Sequence, residues 1–226
     1  MQRRNVILGG VALAGLGGWA LTRNQAGAPS DNLTSLPGAA HAQTTPADLD
    51  TSSITDMVQG NPDAAVTVTE YASFTCPHCA TFHNGAYKQL KADFIDTGKI
   101  KFIYREVYFD RPGLWASMVA RCGGPERFFG IADLIYKGQS EWVRAGEPAM
   151  IVEELRKIGR LAGLDNDTLN ACLQDATMAQ TLVAWYQENG ERDDISSTPS
   201  FLIDGKKQSN MPYSEMKALI ETALEG

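Results

Sequence analysis

Two of this chain's four cysteines are close neighbours, in the run Phe74-Thr75-Cys76-Pro77-His78-Cys79. A Cys-x-x-Cys pair can help bind zinc, staple the chain, or cycle between dithiol and disulfide. A structural zinc site takes four N or S ligands. Cys76, Cys79 and His83 supply three at most, with no second such pair downstream. No metal or other cofactor is therefore expected, and His83 reads most simply as a helix-surface residue. The redox reading requires an asymmetry: one sulfur that ionises easily, and one that stays protonated until it resolves a mixed disulfide.

The flanking residues supply that asymmetry. In residues 65–74, Val66, Val68, Glu70, Ala72 and Phe74 alternate onto one face of a strand. Pro77 suits the first turn of a helix, where its missing N–H would be unpaired anyway. The helix is predicted over residues 77–97, with Gly98 as its stop. Cys76 then caps the helix, where free N–H groups and the dipole stabilise a thiolate. His78, between the cysteines, adds a donor or a positive charge. Cys76 is expected to be the exposed nucleophile, and Cys79, one turn into the helix, the buried resolving thiol. Glu70 lies on the strand face beneath the helix start and is expected to relay a proton to or from Cys79. The plain alternative is a salt-bridged or water-exposed strand residue.

A second strand follows in residues 100–109, then a helical stretch over residues 114–189. Within that stretch Ile151, Leu155, Ile158 and Ala162 recur at helical spacing, and Asn166-Asp167 marks another helix start. Residues 199–207 return to strand, with Asp204-Gly205 as a hairpin turn. Tyr213, Met216, Leu219, Ile220 and Ala223 give a closing helix its apolar face. Strand–helix–strand implies a parallel pair, and the hairpin extends it with antiparallel strands. The fold class is α/β, a thioredoxin-like fold with an inserted helical domain. In that fold Thr198-Pro199, at a strand start where proline is tolerated, is expected to be cis and beside the cysteines, with its backbone open to a substrate strand.

Net charge is −7, which gives no basic surface for nucleic acid. Arg3 and Arg4 precede an uncharged run at residues 6–21. This is the pattern of an export signal, either of the general kind or of the twin-arginine kind, or of an uncleaved anchor. Ala40-His41-Ala42 is the preferred cleavage site, so residues 1–42 are assigned to export and the start of a tether. Residues 43–53 are read as a flexible linker and residues 54–226 as the folded part. Export places all four cysteines in an oxidising compartment. Cys122 and Cys172, both in the helical insertion, are then either two buried thiols or, as export favours, a structural disulfide. Such a bridge would close a loop worth roughly 4 kcal/mol by chain entropy.

The run Glu70-Tyr71-Ala72-Ser73-Phe74-Thr75-Cys76-Pro77-His78-Cys79, with Thr198-Pro199-Ser200-Phe201 far downstream, resembles the DsbA-type thiol-disulfide oxidoreductases, in particular an alphaproteobacterial subgroup. The resemblance covers residues 54–226. It implies a periplasmic enzyme with Cys76 and Cys79 as the redox pair and Pro199 as the cis-proline. It further implies reduced exported proteins as substrates and a membrane quinone-linked partner for reoxidation. Some members of the subgroup carry a second disulfide in the insertion. Thr198 departs from the aliphatic residue of the best-known enterobacterial member, which puts the potential and substrate release in question. A monomer is expected. Isomerases of this kind usually dimerise through an N-terminal domain, and residues 43–54 are too short and polar to form one, which argues for oxidation. The rival readings are an isomerase or reductase, and a membrane-associated or surface binding protein that keeps the fold without turnover.

Overall fold

A computed structural model describes residues 49–226. The expected export segment and most of the tether lie outside the described residues. Among those described, no helix is long and apolar enough to cross a membrane.

A five-stranded sheet runs in the order β1-β3-β2-β4-β5. Its strands are β1 (Met57–Gly60), β2 (Val66–Ala72), β3 (Ile100–Glu106), β4 (Ser200–Ile203) and β5 (Lys206–Ser209). β2 and β3 are parallel, from Val66 opposite Ile100 to Ala72 opposite Glu106, and the other pairings are antiparallel. Strand β2 is central and covered on both faces: Val68, Glu70 and Ala72 are buried, and so is Tyr71 on the other side. β1 was not foreseen, since a four-residue edge strand is too short to show a period. It ends at Gly60, whose φ is +83° and where a Cβ would sit 2.4 Å from the carbonyl oxygen of Ile100, so the turn admits only glycine. Asp204 and Gly205 both have positive φ, as a two-residue hairpin turn requires.

The helix after the cysteines is broken where one continuous helix was expected. α1 (Pro77–Asn84) stops at Gly85, α2 (Ala86–Leu90) resumes, and a π-helical turn (Lys91–Ile95) follows. Gly98 then turns the chain with φ +68°. The helical insertion is slightly longer than predicted. It comprises α3 (Arg111–Cys122), α4 (Pro125–Lys137), α5 (Gln139–Trp142), α6 (Pro148–Leu161), α7 (Asn166–Gln174) and α8 (Ala176–Arg192). Asp110, Asp165 and Asp175 cap α3, α7 and α8 through their carboxylates, and prolines open α4 and α6. Cys122 and Cys172 form a disulfide between α3 and α7, with 5.8 Å between their Cα atoms. The closing helix α9 (Tyr213–Glu225) buries Met216 and Ile220 but leaves Leu219 exposed.

Candidate active site

The loop between β2 and α1 is fixed before the cysteines are reached. Phe74 is buried among the rings of Tyr104, Phe128 and Tyr136. The Cys76 amide donates to the Ser73 carbonyl. From the insertion, the Gln139 side-chain amide donates to the carbonyls of both Phe74 (2.7 Å) and Cys76 (2.9 Å). Gln139 had no motif in the sequence to mark it.

Cys76 takes the N-cap position of α1, with φ −76° and ψ 119°, and Pro77 is the first helical residue. Both cysteines are free thiols. The Cys79 amide donates to Cys76 Sγ at 3.4 Å, and the Thr198 carbonyl oxygen lies 3.5 Å from the same sulfur. The Thr198–Pro199 peptide is cis and Pro199 is buried. The expectation of an exposed Cys76 is corrected: the residue is only 8% accessible, with the Thr198 carbonyl against its sulfur. Pro77 and His78 are the exposed members of the motif. His78 helps the site through its backbone N–H.

The two sulfurs are driven apart electrostatically. The Cys76 pKa falls to about 5, chiefly through the hydrogen bond from the Cys79 thiol. Burial opposes that fall, while Thr198 and the amides of Cys79 and His78 reinforce it. The Cys79 thiol is pushed far up, first by burial, then by its bond to Cys76, then by the negative charge of Glu70. Under neutral conditions one sulfur is a thiolate and its neighbour a thiol.

Glu70 is fully buried. The sequence reading of His83 as a surface residue is wrong: its side chain is 3% exposed, and Nε2 lies 2.9 and 3.1 Å from the two Glu70 carboxylate oxygens. The Tyr136 ring stacks on the imidazole at 4.2 Å, and Tyr87 lies against it at 4.6 Å. His83 follows Cys79 by one helical turn on α1, so both face β2. That spacing, four residues from Cys79 on one helix, is the signal in the sequence that places His83 on the inner face.

Fold and site together define a thioredoxin-fold protein with a helix-capping dithiol. The thioredoxin family model matches residues 52–222, and the chain belongs to that family. A Rickettsia bellii relative provisionally named a protein-disulfide oxidoreductase is 36% identical over 75% of this chain. This chain spans 65% of that relative's length. Disulfide bond formation protein D of Bacillus subtilis is 28% identical over 75% of this chain and 77% of its own. The crystal structure of Wolbachia pipientis alpha-DsbA1 superposes with a TM-score of 0.69 at 25% identity, covering 75% of this chain and 91% of that one. A protein-disulfide isomerase from Novosphingobium aromaticivorans gives 0.68 at 26% identity, covering 76% and 98%.

Proposed function

We propose that this protein is a periplasmic thiol-disulfide oxidoreductase that donates its Cys76–Cys79 disulfide to exported proteins. The observation that carries this reading is the split between a thiolate at the α1 cap and a protonated thiol beneath it. A substrate thiolate attacks Cys76 Sγ of the disulfide, and Cys79 leaves, taking up a proton through Glu70. A second substrate thiolate then attacks the substrate sulfur of the mixed disulfide and releases Cys76 as a thiolate. Two electrons pass to the protein and the substrate gains a disulfide. Because the reduced thiolate is stabilised, the oxidised form is a strong donor. The Thr198 backbone at Cys76 Sγ, kept free by a proline that has no N–H, receives the substrate strand. Reoxidation is assigned to a membrane quinone-linked partner, and the working form to a monomer.

The name of the Novosphingobium neighbour favours a second reading, an isomerase. The equilibrium of the Cys76–Cys79 couple with glutathione decides the direction: an oxidising couple supports donation, and a couple as reducing as a structural disulfide rejects it. Replacing Cys76 with Ser should abolish oxidation of a reduced test protein, and Cys79→Ser should trap mixed disulfides on Cys76. Normal oxidation by both variants would refute the redox assignment.

A further inference from the structure

Cys79 and Glu70 are sealed from water, yet every turnover moves a proton between the Cys79 sulfur and the outside. The Glu70 carboxylate shares the buried core with Cys79 and bonds to His83, one turn further along α1, and its charge acts on the thiol. A carboxylate with no access to water cannot hand a proton onward by itself. Its hydrogen-bonding partner among the described residues is His83, with Nε2 2.9 and 3.1 Å from its two oxygens, and the His83 side chain, unlike that of Glu70, retains a little contact with solvent. His83 also stands in the last turn of α1. One helix thus carries the thiolate at its start and the imidazole at its finish.

We propose that His83 is a positioning residue for the dithiol reaction, acting through Glu70 as the outlet of a Cys79–Glu70–His83 proton path that opens to water away from the attacking substrate. This rests on the redox reading above. In the closing step, Cys79 attacks Cys76 of the mixed disulfide and the departing thiolate leaves into solvent. The Cys79 proton goes to Glu70, and the imidazole passes one proton outward so that the pair regains its starting charge. In the opening step the same atoms run in reverse. The other titratable groups facing the imidazole are the hydroxyls of Tyr87, Tyr104 and Tyr136. Burial raises all three above their ordinary range, so none competes as an acceptor. Tyr104 and Tyr136 bond to each other at 2.6 Å.

The test uses oxidised glutathione on the full reduced chain, with acid quenching and mass counting of mixed disulfide against closed disulfide. Measurement between about pH 6 and about pH 8 isolates the Cys79 step, because Cys76 titrates near 5. The wild-type closing rate should level off across this range. His83→Gln keeps a hydrogen bond to Glu70 but cannot pass a proton. It should slow closure by about ten- to a hundredfold near neutrality, with a rate that climbs with hydroxide, while the Cys76 thiolate titration stays in place. His83→Lys puts a fixed charge beside Glu70 but holds its proton, so closure should stay slow even where stability recovers. His83→Gln closing at the wild-type rate overturns the proposal, and so does His83→Lys restoring that rate, since His83 would then be only a counter-ion. A wild-type protein that exchanges no disulfide with glutathione sinks the redox reading itself.

Discussion

Cys76 is where a single residue's chemistry sets a property of the whole chain. Its thiol titrates near 5 in the folded, reduced protein and near ~8.5 in an unfolded chain. A depressed folded pKa stabilises the folded state fully above the unfolded value and loses that effect as pH falls through the folded one. The reduced protein should therefore gain stability relative to the oxidised protein, which has no such thiol, as pH rises from about 5 to about 8.5. Melting temperatures of the two forms across that window measure it, and a constant gap would contradict the thiolate. The cysteines and Pro199 were legible because each is tied to a backbone device, a helix cap or a strand start. Glu70 was legible because a charge on an apolar strand face stands out. His83 was not: what buries it is the aromatic packing of Tyr87, Tyr104 and Tyr136, which comes from three separate elements.

Among the elements, the helical insertion does more than cover the sheet. Through Gln139 at the start of α5 it grips the two carbonyls flanking Thr75, and so sets the loop from which Cys76 projects. Nothing in the sequence singles out one glutamine for this, since the contact spans more than sixty positions. The insertion's own coherence rests partly on the bridge between α3 and α7, which closes a loop of 50 residues. Replacing both Cys122 and Cys172 with Ala should cost about 2–4 kcal/mol of stability by denaturant titration, with the Cys76 titration unchanged. An unchanged stability would mean that packing alone holds these helices. Helix and strand identities were mostly readable from periodicity. The break at Gly85 was not, because a glycine within a helical pattern is often tolerated.

For the whole molecule, the sheet and the insertion are joined by a part-buried charge cluster around Arg105 on β3. Its guanidinium donates to both carboxylate oxygens of Asp56 at 2.8 and 2.9 Å, to Asp193 just beyond α8 at 3.0 Å, and to the Tyr71 hydroxyl on β2. Tyr71 in turn bonds Asp193. Four segments far apart in sequence meet there, which no local pattern announces. Arg105→Ala removes the guanidinium from the part-buried Asp56 and leaves Asp193 with Arg192 alone, and should cost about 2–4 kcal/mol, read as a lower denaturation midpoint with disulfide exchange retained in the folded fraction. A loss within ±0.5 kcal/mol would reduce the cluster to surface decoration. The outer hairpin strand β5 shapes how other chains meet this molecule. It is four residues long, largely exposed, and carries Lys206 and Lys207. An open sheet margin is a template onto which any extended chain with unsatisfied backbone groups can pair. Here the pairing would run out almost at once, and two ammonium groups would have to shed water to start it. The brevity of this one strand and its paired ammonium groups thus keep the hairpin margin from growing by a further strand.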